Sequence, residues 1–421
     1  MRGSRVVCSA FCLALLGWSA GADIAAAQSL PQLLSEADVH NPEILAARSA
    51  WQAARQVPSQ VSTLPDPQVE LQSFSVGGPL PYQGFSTSNF AYIGLGVTED
   101  LPYPGKLRLR GQIASQQAAA LEQDYHAVER RVAAQVETEY YRLGYLHQVQ
   151  ITLQADQKLL HEIEQVAEAR YTQGSGNEQD VLKAQLNETK IVDQLATNQQ
   201  DVGSAQALLK AILNRLPQSP DLAVGPLQET PLPESQSELL ALARTQNPAV
   251  KAWQASALAR SSQVKLAHKD FYPDFSISYM YQRTDPSRYR AYYMLTFGVK
   301  LPIFRARRQE PELAEAVAQR AQAQQQQQAA TQQSGGAVQA AYVHVQTGTR
   351  VLRIYKQGLI PQAQATFQAG LAAYQTGRED FETLLNAFLD LQNLNLEYWS
   401  TLAQRETALA QIEQLTPLSL H

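Results

Sequence analysis

Four stretches of the chain alternate apolar and polar residues with a period of two. Phe275, Ile277, Tyr279 and Tyr281 alternate with Ser276, Ser278, Met280 and Gln282; beyond a turn containing Asp285-Pro286-Ser287, Tyr293, Leu295, Phe297, Val299 and Leu301 alternate with Tyr292, Met294, Thr296, Gly298 and Lys300. Earlier in the chain Ala91, Ile93, Leu95 and Val97 alternate with Tyr92, Gly94, Gly96 and Thr98, and a weaker partner lies around Val69 and Leu71. The pattern predicts strands near 67–77, 90–101, 273–283 and 290–301, each greasy on one face. Runs of about ten residues cross a bilayer as tilted strands. A soluble sheet packed on one side would alternate in the same way. Ten of the 29 Phe and Tyr residues fall between Phe271 and Phe304, however, and that favours aromatic girdles around a lipid-facing band.

A second pattern has helical period. No proline occurs between Pro104 and Pro217, and Ala, Gln, Glu, Leu, Val and Lys dominate the interval. Leu146, Leu153 and Leu160 are spaced by heptads with Val149 and Ile163 between their turns, and Leu195, Val202 and Leu209 form a matching seam beyond Gly174. This predicts a coiled-coil hairpin over about 106–214, whose first helix reaches roughly 100 Å at ~1.5 Å per residue. A second hairpin is expected over about 304–415, loosened or kinked at Gly335-Gly336 and Pro361. The glutamines from Gln324 to Gln328 are read as one solvated face of that helix.

The two patterns recur in the same order. Asn41-Pro42 returns as Asn247-Pro248, Leu101-Pro102 as Leu301-Pro302, and Tyr171-x-x-Gly174 as Tyr374-x-x-Gly377, at offsets of 206, 200 and 203. We therefore divide the chain into a leader at 1–27, a first repeat at 28–215, a Pro-rich connection at 216–234 and a second repeat at 235–421. Each repeat is expected to run helix, strand, turn, strand, very long helix, tight turn, long helix.

The leader has a charged start at Arg2 and Arg5, an apolar stretch from Val6 to Trp18 and small residues Ala25-Ala26-Ala27 before Gln28, the anatomy of an export signal. Both cysteines, Cys8 and Cys12, lie within it, so the exported chain is expected to lack disulfides, thiolate metal sites and cysteine nucleophiles, and to be unlipidated. Removing Arg2, Arg5 and Asp23 leaves 32 basic against 38 acidic residues, a net charge near −6, which argues against nucleic acid as a partner. No run of eighteen apolar residues follows the leader, so a membrane would have to be met through the strands. An open four-stranded sheet would leave unpaired edge groups in lipid, and four strands cannot close alone. Copies must then share a barrel, and three chains would supply about a dozen strands.

Leader, duplicated halves, paired strands and hairpins with Tyr-x-x-Gly tips together resemble the TolC-type outer-membrane efflux proteins over essentially the whole exported chain. Ala169-Arg170-Tyr171-Thr172-Gln173-Gly174 followed by Asp180-Val181-Leu182, and Tyr374-Gln375-Thr376-Gly377 followed by Thr383-Leu384-Leu385, are similar to that family's hairpin-tip motif. The resemblance implies an α+β membrane protein in which a homotrimer builds one β-barrel, with four strands per chain, continued by a periplasmic α-helical coiled-coil barrel. It implies a passive conduit in the outer membrane of a Gram-negative bacterium. The implied partners are a periplasmic adaptor protein docked at the tips (Tyr171, Gly174, Asp180, Tyr374, Gly377), an inner-membrane pump of the proton-driven resistance-nodulation-division type, and outer-membrane lipid. The aperture would fall among Asp180, Glu379, Asp380, Glu382, Thr383 and Asn386. Gate aspartates of some members fall here on Thr383 and Asn386, a departure from the pattern. Tripled by symmetry, the acids would draw cations and repel anions. The bland reading of the same carboxylates is favourable charge at a helix start.

Other functions find less support in the residues. His40, His126, His147, His161, His268, His344 and His421 include no pair at metal-ligand helical spacing, and nucleophile-elbow and phosphate-loop motifs are missing. No enzyme, catalytic residue, metal or cofactor is therefore expected. A soluble periplasmic coiled-coil adaptor would account for the leader and the helices but not for the aromatic strand pairs. Within the conduit reading, metal ions, organic drugs and polypeptides secreted by a type I system all stay open as cargo.

Overall fold

The computed structural model describes residues 28–285 and 290–420. The expected leader, the Pro286-Ser287 part of the expected turn and His421 lie outside them. The chain begins with α1 (Leu30–His40), α2 (Pro42–Ala54) and α3 (Val57–Ser62), then β1 (Gln68–Phe74), β2 (Tyr92–Leu101), α4 (Lys106–Thr172) and α5 (Glu178–Ile212). It continues with α6 (Gln236–Gln246), α7 (Pro248–Lys269), β3 (Asp274–Arg283), β4 (Tyr292–Lys300), α8 (Gln309–Ile354), α9 (Ile360–Gln375) and α10 (Phe381–Leu415).

The recurring Asn-Pro pairs do the same work twice. Asn41 caps α2 by accepting from the amides of Glu43 and Ile44, and Asn247 caps α7 by accepting from those of Ala249 and Val250. Proline follows each cap, where a missing N–H costs nothing. The amide nitrogen of Asn41 then donates to the Ile212 carbonyl at 2.8 Å, and that of Asn247 to the Leu415 carbonyl at 3.1 Å. Each cap thus ties the start of its half to the end of that half's last helix.

The four strands form one antiparallel sheet in sequence order. Register turns the four separate alternations into continuous faces. Val69, Val97, Tyr279 and Leu295 make one cross-strand row, and Leu71, Leu95, Tyr281 and Tyr293 another. The row of Gln68, Thr98, Ser278 and Thr296, next to the first of these, belongs to the opposite face, where Thr98 donates to Ser278 at 2.9 Å. Val69, Leu71, Leu95, Tyr293, Leu295 and Phe297 are all exposed, so the apolar face is left uncovered. A slip of one residue would exchange the faces.

α4 is 67 residues long and α5 is 35. In the second half α8, a five-residue π-helical turn at Tyr355–Leu359 and α9 together match the length of α4, and α10 again has 35 residues. α4 packs along α5, α7 and α10, and α8 along α7 and α10. Leu146 of the heptad seam enters an upper core with Leu209, Val132 and Leu402, while Leu153, Leu160 and Ile163 enter a lower core with Ile191, Phe367 and Phe388.

Three expectations need correction. α8 runs unbroken through Gly335-Gly336, with neighbouring Ser334, Val338 and Ala341 buried, so packing against α6 and α10 overrides a propensity cost of about 1 kcal/mol per glycine. The disturbance expected at Pro361 does occur, as the π turn just before it, where the missing N–H shifts the helical hydrogen-bond register. The second hairpin also begins later than expected, at Gln309, after a 3₁₀ turn at Arg305–Arg307. The glutamine run is helical, within α8, but five consecutive residues go round the whole helix: Gln324, Gln325 and Gln328 are exposed, while Gln326 and Gln327 are half-buried, so the run is not a single solvated face.

The Pro-rich connection is packed rather than loose. Leu222 and Leu227 enter the upper core, and Gln206 makes a two-way amide pair with Leu222 at 2.8 and 2.9 Å. Farther on, Arg405 donates to the Thr230 carbonyl at 2.7 Å, and the buried carboxylate of neighbouring Glu406 accepts from the Thr230 amide at 3.3 Å. Glu137 of α4 is 2% exposed, and burial beside Glu413 of α10 pushes its carboxyl well above the usual range.

Candidate functional site

The site lies at the two hairpin tips, built by helix ends and glycine. α4 stops where Gly174 takes φ +71°, and the amides of Ser175 and Gly176 return to the Arg170 carbonyl, each at 2.9 Å. The second tip repeats the device: Gly377 has φ +73°, and the Arg378 amide reaches the Ala373 carbonyl at 2.9 Å. Left-handed backbone at both positions is what the recurring glycine supplies. α5 then starts on an Asn177 cap, whose side chain accepts from the Gln179 amide at 3.2 Å. α10 starts on an Asp380 cap, accepting from the Thr383 amide at 2.8 Å.

The two tyrosines of the tip motif part company. Tyr171 is 46% exposed, whereas Tyr374 is 1% exposed at the centre of a contact joining the hairpins. The Tyr374 hydroxyl donates to Asp180 Oδ2 at 3.2 Å. Its ring meets Phe381 edge-on at 5.6 Å, and the Arg170 guanidinium covers it at 4.4 Å. Arg170 also donates to the Tyr374 carbonyl and, at 3.2 Å, to that of Ser175. Burial, and after it the Asp180 charge, push the Tyr374 phenol up to about 12.

Asp180 and Tyr374 are therefore brought together, with Gly174 and Gly377 shaping the turns around them. Arg170, part of the tip motif, has a role that no local pattern marks. The sequence shows only a cation in the last turn of a helix, directly before the tip tyrosine. Lys183 is unmarked as well: its ammonium meets Glu382 at 2.7 Å, a second bridge between the hairpins, and that bond raises the Lys183 pKa.

The acidic cluster at the second tip has divided roles. Asp380 serves as the α10 cap, and the bond from the Thr383 amide holds its carboxyl below the usual range. Glu382 is engaged by Lys183. Glu379 is exposed and has no ion-pair partner among the described residues. Thr383 and Asn386 are also exposed, one helical turn apart on α10.

One histidine cluster appears that spacing did not suggest. His161 faces Glu164 at 3.4 Å and, across to α5, Glu188 at 4.0 Å. Gln165 lies 3.2 Å from its other ring nitrogen, and Gln185 donates to Glu164 at 2.8 Å. The group is a half-buried polar cluster between α4 and α5. Among the described residues no helix is long and apolar enough to cross a membrane.

Comparison with known proteins supplies the context for this geometry. No relative among curated protein sequences matches the chain. Among solved structures, CusC, described in terms of conformational changes accompanying folding and transmembrane channel formation, superimposes with a TM-score of 0.79 at 20% identity, covering 92% of each chain. The outer membrane protein VceC of Vibrio cholerae gives 0.77 at 20% identity over 92% of this chain and 95% of that one. The open-state MtrE outer membrane channel of Neisseria gonorrhoeae gives 0.77 at 18% identity over 92% and 88%. At these identities the likeness is one of fold. The profile of the outer membrane efflux proteins matches residues 20–215 and 239–416, nearly the whole sequence, and the chain therefore belongs to the outer membrane efflux protein family.

Proposed function

We propose that three copies of this chain close their sheets into one twelve-stranded barrel in the outer membrane and continue it as a helical conduit across the periplasm. The observation that carries this reading is the sheet itself. β1 and β4 are its outer strands, each paired on one side only among the described residues, and the face they border is exposed and apolar. Lipid accepts such a face but tolerates no open edge, so closure must come from further copies. A soluble adaptor would have to place the same face in water.

The tips are the candidate gate and docking end. Tyr171 and Gly174 are exposed and available to a periplasmic adaptor, while Asp180, Tyr374 and Arg170 form a latch holding the two hairpins of one chain together. Opening would break this contact and the Lys183–Glu382 bridge, after which the free Glu379 and the released Glu382 would favour cations at the mouth. Energy would come from an inner-membrane pump, and the conduit itself would carry no catalytic chemistry. The pump would select the cargo, whether metal ion, small organic molecule or polypeptide.

The test is planar-bilayer conductance of the full chain extracted from outer membranes. Discrete, long-lived pores are expected. A protein that leaves the cell fraction with soluble periplasm and never conducts would reject the proposal in favour of the adaptor reading.

A further inference from the structure

At the base of the sheet, where the helices depart, the second half exposes an apolar step followed at once by positive charge. Leu301, Ile303 and Phe304 are large and uncovered, with Ile303 72% and Phe304 70% exposed. Arg305, Arg307 and Arg308 follow, all exposed. Arg308 is bridged to Glu312 at 3.3 Å, whereas Arg305 and Arg307 have no ion-pair partner among the described residues. Beside them opens a cleft of about 410 Å³ whose inner wall pairs Lys106 with Asp270 and Asp274, and whose mouth carries Arg110, Lys300, the Arg308–Glu312 pair and the apolar Leu301, Ile303 and Phe304, with Arg305 and Arg307 outside it.

The equivalent step in the first half is closed on itself. After Leu101-Pro102, Tyr103 stacks on Tyr272 at 4.6 Å, and Lys106 is buried against Asp270 at 3.0 Å and Asp274 at 2.9 Å. At this step the two copies thus differ: Lys106, the first cation of the first copy, is buried against carboxylates with Arg108 and Arg110 exposed beyond it, whereas Arg305, Arg307 and Arg308 of the second are all exposed directly beside uncovered apolar side chains. Lys300 pairs in register with Asp274, the first residue of β3, which places the step at the helix-bearing end of the barrel.

We infer that this step binds the phosphate of an anionic phospholipid in the membrane leaflet facing the periplasm. The inference rests on the barrel reading above. Ile303 and Phe304 enter the acyl region as a continuation of the apolar face that ends with Val299 and Leu301, and the guanidinium groups meet the phosphate, for which their planar fork is suited. Basic residues at a membrane surface favour anionic lipid by about fivefold each.

The full-length assembly, purified in a neutral detergent with equal amounts of phosphatidylglycerol and phosphatidylcholine, is examined by native mass spectrometry. The wild type is expected to retain phosphatidylglycerol in preference. The Arg305→Gln/Arg307→Gln/Arg308→Gln variant should lose that preference by about fivefold for each arginine removed, with phosphatidylcholine retention unchanged. Ile303→Ser/Phe304→Ser should reduce retention of both lipids. No preference in the wild type, an unchanged preference in the arginine variant, or displacement of the retained lipid by lipopolysaccharide, which would assign the site to the other leaflet, would overturn the inference. Planar-bilayer conductance recorded on the same samples separates the two readings. Normal pores without lipid preference sink the lipid site alone, whereas a wild type that forms no pore sinks both.

Discussion

Replacing Tyr374 with phenylalanine deletes one oxygen atom from the tip and leaves the ring, its edge contact with Phe381 and its covering guanidinium in place. What is lost is a hydrogen bond to a carboxylate. Such bonds contribute about 1.5–3 kcal/mol when well formed. This one is long, at 3.2 Å, and Asp180 is half-exposed, so about 1 kcal/mol is the expected loss. That corresponds to about a fivefold rise in the opened population of the tip, readable as faster amide exchange in segments 170–178 and 374–384. Arg170→Ala removes the cation over the ring and two donors to carbonyls, so its effect should be larger, about 2–3 kcal/mol. The latch also has a pH signature. Because the folded phenol titrates near 12 instead of 10.0, its contribution is complete below pH 10 and is lost as pH rises through 12. Tip opening in the wild type, taken from exchange rates divided by the base-catalysed intrinsic rates at each pH, should therefore rise more steeply across that window than in Tyr374→Phe, which keeps only the response of the Lys183–Glu382 bridge. If exchange in Tyr374→Phe stays within experimental error of wild type while Arg170→Ala also changes nothing, the contact is no latch.

Further expectations address other parts of the molecule. Leu95→Arg places a charge on the exposed apolar face at a cost of about 2–4 kcal/mol in lipid and should deplete heat-resistant oligomer in outer membranes, whereas Thr296→Lys on the opposite face should not. Glu137→Gln should raise the melting temperature at pH 8 and leave it unchanged at pH 4. The Glu137 carboxyl is shifted upward by burial, so the fold favours its protonated form, and that stabilisation is present at low pH and drains away as pH climbs above the ordinary 4.5. Glu379→Gln/Glu382→Gln, which spares the Asp380 cap, should lower the cation preference of the pore in reversal-potential measurements; an unchanged reversal potential would remove the steering role.

How far the sequence could be read follows from what each feature depends on. The strands and α4 were legible because a period of two or of seven is local, and the Asn-Pro and Tyr-x-x-Gly pairs were legible because caps and left-handed turns need particular residue types. The continuity of α8 through Gly335-Gly336 was not, since it depends on α6 and α10 lying alongside. At the tips, the glycines and Asp180 stood out, but the unequal fates of Tyr171 and Tyr374 did not. Identical motifs gave no sign that one ring would be buried between hairpins and the other left outside. Arg170 and Lys183 escaped for the same reason: their partners lie 204 and 199 positions away, a pairing that no local pattern records. The acidic tip was visible as charge, but its division into a cap, a bridge and a free carboxylate required the start of α10 and the neighbouring α5.

A closed barrel of three copies requires β1 of one copy to pair with β4 of the next and the ring to close at three. With the two native cysteines, Cys8 and Cys12, replaced by serine, cysteines introduced at Leu71 on β1 and, one at a time, along β4 would report that pairing in outer membranes without interference. Oxidation at the correct register should give a denaturing-gel ladder that stops at the covalent trimer. Absence of any interchain crosslink along β4, or a ladder running beyond three, would contradict the closed trimeric barrel.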